Sequence, residues 1–165
     1  TMTITIRQVE LEDANILLQI YSHYVLNTSV SFEYDVPSLE EFKQRILKIS
    51  QRYPYLVALK DHEILGYAYA TSYKERAAYH WSVETTVYVK ETYHGIGVGK
   101  ALYTHLEHAL KEMNIVNMLA CITYPNPKSI EFHTKLGFEQ VGHFHKVGYK
   151  FNEWRDIIWM QKSIK

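Results

Sequence analysis

One cysteine, Cys121, stands among 165 residues, so no disulfide can close within the chain. A reducing compartment, and with it a cytoplasmic location, is the matching expectation. Prolines number four and glycines seven, too few for a Pro/Gly-rich linker, and neither a repeat nor a low-complexity stretch interrupts the chain. Neither sign of charge is in excess, since 18 Lys and Arg balance 18 Asp and Glu. Such a balance gives no support for nucleic acid or an anionic membrane as a partner, though a local basic patch could still hold a small anion. No apolar run approaches the length of a membrane span. The opening stretch "TMTITIRQVE" alternates polar and apolar residues like an edge strand, not like a signal peptide.

What is present is core material. Hydrophobic residues make up 47 % of the chain and tyrosines number 14, which excludes disorder and suits one domain spanning residues 1–165. "TITIRQV" reads as a strand, and apolar pairs at Ile16/Leu17, Ile20/Tyr21 and Tyr24/Val25 then recur every four residues, as on a helix over 13–26. Ser38 with Glu41 three later forms a capping-box pattern before a helix carrying Leu39, Phe42, Ile46 and Ile49 on one face. Three strand-like runs follow, "YLVALK", "EILGYAYATSY" and "HWSVETTVYVK", the first two joined at Lys60–Glu63 as a hairpin. Leu102, Leu106, Ala109, Leu110 and Met113 mark one face of the next helix, and "NMLACITY" is a short apolar strand. Asn126, Pro127 and Gly137 fit the cap, first position and stop of a last helix, before a long hairpin turning near Asn152 and Glu153. The order β-α-α-β-β-β-loop-α-β-α-β-β describes a mixed α/β sheet with helices packed on it.

"YHGIGVGK" (93–100) spaces glycines at 95, 97 and 99 ahead of a helix. A dinucleotide fingerprint would need its third glycine at 100, which is Lys100. A phosphate-binding P-loop would need glycine at 94 and a hydroxyl at 101, where His94 and Ala101 stand. Two readings survive spacing: a tight turn that starts a helix, or backbone amides that hold an anion.

The element order, the strand "SVETTVYV" and the loop "HGIGVG" resemble the GNAT acetyltransferase superfamily. The likeness sharpens in "RYPYLVA", "SYKERAAYHWSVETTVYV", "ALYTHLEHAL", "PNPKSIEFHTKLGF" and "VGYKFNEWRDIIWMQ", which resemble segments of the phosphinothricin N-acetyltransferase-like branch in its order. The resemblance implies a central, mostly antiparallel twisted sheet of about seven strands with about four helices. It also implies acetyl-CoA as co-substrate, no metal, and a homodimer. The acceptor would be the α-amino group of a small amino acid or analogue such as phosphinothricin, methionine sulfoximine or methionine sulfone. Other acceptors (a protein N-terminus, a lysine or a polyamine) and a non-catalytic acyl-CoA-binding module are the rival readings.

The resemblance also assigns residues. His94, Gly95, Ile96, Gly97, Val98, Gly99 and Lys100 would cradle the acetyl-CoA pyrophosphate, with His94 where the family has Gln or Arg. The backbone of Val87, Tyr88 and Val89 would pair with the pantetheine arm, and Asn126 and Ser129 would bind near it. Glu84 would be the base that takes the ammonium proton, and His133 the acid that protonates the departing thiolate. Lys74, Glu75, Arg76, Tyr79, Thr85, Thr86 and Phe32 would surround the acceptor together with Glu84, and Glu33 would help wall the pocket. Cys121 reads as a small buried hydrophobe among Leu119, Ala120 and Ile122. His143 and His145, two residues apart on a strand, are the one metal-like hint, but without a third ligand they read as strand or pocket residues.

Overall fold

The structure, a computed structural model, describes residues 3–165. The first two positions of the opening stretch lie outside them. Eleven elements follow in the expected order: β1 (Thr5–Gln8), α1 (Ala14–Asn27), α2 (Leu39–Ser50), β2 (Tyr55–Lys60), β3 (Glu63–Ser72), β4 (Ser82–Val89), α3 (Val98–Glu112), β5 (Asn117–Tyr124), α4 (Pro127–Lys135), β6 (Glu139–Lys150) and β7 (Glu153–Ser163). The seven strands form one sheet in the order β1-β2-β3-β4-β5-β7-β6. Every neighbouring pair is antiparallel except β4 and β5.

Local chemistry accounts for the boundaries. Asp61 and His62 both take positive φ (50° and 69°), the two-residue primed turn that suits a right-twisted hairpin between β2 and β3. The Ser38 hydroxyl accepts the Glu41 N–H at 3.1 Å and starts α2. The Glu41 carboxylate does not return to Ser38; it lies 3.5 Å from Arg45, so only half of the capping box forms. Asn126 Oδ1 accepts the Ser129 N–H at 3.2 Å with Pro127 in the first turn of α4. Gly137, at φ +98°, then ends α4 in a Schellman motif, its N–H donating to Thr134 and that of Phe138 to His133.

Two cores sandwich the sheet. On one face Leu102, Leu106 and Leu110 of α3 are fully buried against Ala68, Ala70, Val83, Met118 and Ile158. Each such leucine contributes roughly 1.5–3 kcal/mol, so Leu106→Ala costs about 2–5 kcal/mol. On the other face Leu17, Tyr21 and Tyr24 of α1 and Phe42 and Ile46 of α2 cover a tyrosine-rich surface of Tyr55, Val57 and Tyr67. Two expected core positions are open instead. Met113 is 40 % exposed as the C-cap of α3, and Leu39 is 36 % exposed at the first residue of α2, where each helix runs out past the sheet.

Candidate active site

The single parallel pairing creates the site. β4 and β5 are paired only at Ser82↔Asn117, Val83↔Met118 and Glu84↔Leu119, although β4 continues to Val89 and β5 to Tyr124. β4 stays paired to β3 as far as Gly66↔Val89, and β5 stays paired to β7 as far as Tyr124↔Asp156. The two inner strands therefore part beyond Glu84 and leave facing edges without strand partners. The opening is a cleft of about 260 Å³ lined by Glu84–Tyr88 and Ala120–Thr123, with Tyr103, Asn126, Ser129 and His133 on one side and Val30, Ser31 and Phe32 on the other. Unpaired strand edges are a template for an extended ligand with amide groups of its own.

The glycine loop follows the free end of β4. Gly95 and Gly97 take φ of +84° and +90°, a region glycine enters without a Cβ penalty, and nothing lies within 4 Å of where either Cβ would stand. Gly97 caps α3 without a side chain, and the first rung of the helix is the Ala101 N–H donating to the Gly97 carbonyl at 3.0 Å. The N–H groups of Val98, Gly99 and Lys100 precede that rung at the positive end of a 15-residue helix, an anion cradle. Gly99 has a different reason: a Cβ there would come within 3.0 Å of the Phe132 ring on α4. It lets the two helices that flank the cleft approach.

Glu84 occupies the last paired position before the strands part, and among the described residues it is the only carboxylate lining the cleft, with no Lys or Arg beside it. Burial alone pushes its pKa above the usual glutamate value. A carboxylate raised in this way takes a proton more readily, which suits a general base.

His133 is buried (4 % exposed), and desolvation holds its pKa below the usual imidazole value. Its Nδ1 lies 2.7 Å from the Ser129 carbonyl, which can only accept, so Nδ1 carries the proton and the neutral ring leaves Nε2 bare. Nε2 faces the Tyr103 hydroxyl at 3.3 Å, and that hydroxyl lies 3.2 Å from Thr85 Oγ1 on the cleft wall. His133 lines the cleft itself and is linked to Thr85 on its wall through Tyr103.

A parted strand pair, free amides at the following helix N-terminus and a desolvated carboxylate at the vertex suit an extended ligand that carries an anionic group. The domain model described as "Acetyltransferase (GNAT) domain" matches residues 6–159. The chain belongs to this family. It is 32 % identical over 162 residues to the phosphinothricin N-acetyltransferase of Streptomyces viridochromogenes, covering 98 % of this chain and 88 % of that one. It is likewise 32 % identical to the L-methionine sulfoximine/L-methionine sulfone acetyltransferase of Pseudomonas paraeruginosa, over 99 % of this chain and 96 % of its relative. Among solved structures, a GNAT phosphinothricin acetyltransferase from Sinorhizobium meliloti in complex with AcCoA superposes with a TM-score of 0.94 at 35 % identity, covering 98 % and 89 % of the two chains. The protein is an N-acetyltransferase of the GNAT fold.

Nine of the residues expected in this acetyltransferase's site line the cleft: Phe32, Glu84, Thr85, Thr86, Val87, Tyr88, Asn126, Ser129 and His133. Val89 and the loop His94–Lys100 are not among its lining residues. Others do different work. The His94 side chain turns away from the loop it belongs to, with Nε2 2.8 Å from Tyr24 Oη and 3.2 Å from the Val89 carbonyl, and Tyr24 also donates to that carbonyl. His94 is a staple between α1, the end of β4 and the cradle, and the Val89 carbonyl is already occupied. Ile96 and Lys100 are exposed beside the cradle. Glu33 does not wall the pocket: Arg45 grips its carboxylate with both nitrogens (2.6 and 3.0 Å) and Tyr21 donates to it, because three donors there outcompete the cleft. Lys74, Glu75, Arg76 and Tyr79 do not line the cleft either. They sit on an exposed loop after β3, with Lys74 Nζ 5.6 and 5.8 Å from the Tyr73 and Tyr79 rings. That loop starts from Ser72, beside the Thr71↔Glu84 pair.

Cys121 is exposed, not buried: Ala120 and Ile122 take the inward positions of β5, and strand alternation turns Cys121 to the opposite side, in the cleft wall. Desolvation, with the Glu84 charge behind it, pushes its thiol up to about 11. It is therefore protonated at neutral pH and does not form an acyl-cysteine readily. Three side chains with notable contacts escaped the sequence reading. Tyr103 looks like ordinary helix packing. Lys150 is 3 % exposed and donates to the carbonyls of Val25 and Ser31, both at 2.7 Å, which ties the 28–34 loop to β6. Asp156 on β7 meets both His143 and His145.

Proposed function

We propose that this acetyltransferase moves the acetyl group of acetyl-CoA directly to the α-amino group of a small amino acid or analogue, the phosphinothricin or methionine sulfoximine/sulfone class. Glu84 carries the proposal: it is the one carboxylate in the cleft, desolvated, at the point where the strands part.

The acceptor arrives as an ammonium with two protons to lose. Glu84 takes the first, directly or through water, and passes it to solvent. The free amine attacks the thioester carbon, a C–N bond forms, the C–S bond breaks, and a β4 backbone amide near Val87 holds the oxygen as its charge grows. The second proton leaves the nitrogen as the sulfur gains one from the Tyr103–His133 pair, which it then restores. Acetyl-CoA would lie with its pyrophosphate on the amides of Gly95–Lys100 and its pantetheine along Val87–Val89, near Asn126 and Ser129. Lys74 and Arg76, with Tyr79 and Glu75 beside them, would receive the acceptor's acidic groups. In support, neither cation makes an ion pair among the described residues.

A second reading follows from the same cleft. Because it offers no cation of its own, an acceptor without an acidic group, such as a peptide N-terminus, fits it as well. A screen for acceptor-dependent CoA release across amino acids, their sulfone, sulfoximine and phosphinate analogues, and peptide amines decides between them. Fastest turnover on the acidic analogues supports the first reading, and turnover restricted to peptides supports the second. No release from any amine would make the chain an acyl-CoA-binding module. We also propose a homodimer through the outer β6–β7 face, where Phe144, Val147, Phe151 and Trp154 are each at least half exposed.

A further inference from the structure

Where β6 and β7 run together at the edge of the sheet, three ligand-type atoms, from residues that are not among those lining the cleft, point at one another. His143 Nε2 lies 2.8 Å from Asp156 Oδ2, and His145 Nδ1 lies 3.3 Å from the same oxygen. All three ligand atoms fall within 4.8 Å of one another. We propose that His143, His145 and Asp156 form a binding site for a divalent transition-metal ion, of the class of zinc, cobalt or nickel.

The chain builds this convergence in several steps. A regular ladder would carry β6 straight past Asp156, but the β6–β7 register shifts between Phe144 and Gly148, and Lys146 turns to φ 52°. The bulge folds His145 back over His143, and their rings stack at 4.3 Å with 20° between the planes. The Tyr124 ring, 4.8 Å from His143, supports that imidazole from β5. The Lys146 N–H donates to Asp156 Oδ1 at 2.8 Å, which fixes the carboxylate and directs its other oxygen at both imidazoles. An outer hydrogen bond of this kind is what orients a ligating carboxylate in metal sites.

The distances and donor types select the ion class. With metal–nitrogen and metal–oxygen bonds of about 2.0–2.2 Å, ligands around a tetrahedral ion stand roughly 3.3 Å apart, close to the two histidine–carboxylate separations here. Two imidazoles and one carboxylate suit zinc, cobalt and nickel, whereas magnesium and calcium require oxygen ligands. His145 has a side chain 75 % exposed, so the remaining coordination positions open to water. As a simple ion cluster the arrangement is inefficient, because both imidazoles compete for a single oxygen. An ion would let each ring contribute a lone pair.

The test uses the full chain, stripped with a chelator and titrated at pH 7.5 with Co²⁺ and Zn²⁺, with Mg²⁺ as control. One equivalent of Co²⁺ should bind with visible d–d absorption, and Zn²⁺ should displace it and raise Tm, while Mg²⁺ does neither. His145→Ala removes an exposed ring, so its fold should survive, and it should weaken binding at least tenfold. Asp156→Asn should do the same, and His108→Ala, at the exposed His108–Glu112 pair, should leave binding unchanged. Absence of stoichiometric binding, or equal binding by wild type and His145→Ala, overturns the proposal.

Discussion

The Phe32 ring packs directly on Gly148: a Cβ on that glycine would come under 3.0 Å from three of the ring's atoms. Gly148 belongs to β6 and Phe32 to the loop that walls the cleft, so a backbone atom of the hairpin sets where the pocket wall stands. Gly148→Ala must push the ring aside, and Phe32, 37 % exposed, has room to move without unfolding the chain. The KM for the acceptor should rise about tenfold, equivalent to ~1.4 kcal/mol, with the KM for acetyl-CoA unchanged. Because both changes act through one contact, Phe32→Ala combined with Gly148→Ala should be no worse than Phe32→Ala alone. Additive losses in steady-state kinetics would sever the link.

Glu84→Gln separates catalysis from stability. The wild-type rate should climb as pH rises through the raised pKa of Glu84, since only the carboxylate accepts a proton. The glutamine variant should lose about 10²–10⁴-fold in kcat/KM together with that limb of the pH profile. Stability goes the other way. A carboxyl whose pKa is raised on folding binds more protons folded than unfolded, so above that pKa its charge destabilises the fold. At neutral pH the variant's Tm should equal or exceed that of wild type. A lower Tm with an unaltered pH profile would mean that Glu84 is structural.

The Tyr103–His133 pair yields a prediction of opposite sign. Unfolded histidine takes up a proton near 6.5, and buried His133 does so only at lower pH. Its contribution is therefore complete above about pH 6.5 and is lost as the pH falls through the lowered value. The Tm of wild type should drop between pH 7 and pH 5.5, and His133→Asn should flatten that drop. Tyr103→Phe leaves Nε2 without its donor, at a cost of about 1–3 kcal/mol. If the pair supplies the sulfur's proton, Tyr103→Phe should also lower kcat and shift its alkaline limb, which thermal melts and pH–rate profiles check together.

How far these features could be read in advance depended on their range. The hairpin at Asp61–His62 and the caps at Ser38, Asn126 and Gly137 are local, and each was legible from a few adjacent residues. Glu84 and His133 were legible only through family likeness, since nothing in spacing says that β4 and β5 part at Glu84. Cys121 was misjudged because its neighbours are apolar, although strict alternation sets it opposite Ala120 and Ile122. Tyr103 hid among packing residues. Asp156 hid because a bulge, not residue count, decides which β6 side chains face it. Lys74 and Arg76 lie on an exposed loop off the cleft lining, and a charge cluster in sequence says nothing about which way its loop hangs.

The glycines of the cradle should fail in two distinguishable ways. Gly97 needs only its φ of +90°, with open space around it. Alanine there costs about 1–2 kcal/mol in backbone strain, and relaxing that strain swings the amides of Val98, Gly99 and Lys100 off their common focus. The KM for acetyl-CoA should rise more than tenfold, with Tm lower by a few degrees. Gly99→Ala instead drives a methyl against Phe132, the neighbour of His133 on α4, so kcat should fall while the KM for acetyl-CoA moves little. Phe132→Leu, which withdraws the ring, should restore part of that kcat in Gly99→Ala. His94→Ala supplies the control: its imidazole is bonded to Tyr24 and Val89, away from the amides, so it should lower Tm with only a small change in the KM for acetyl-CoA. A large rise in KM on losing His94 would instead make that side chain a direct partner of the pyrophosphate.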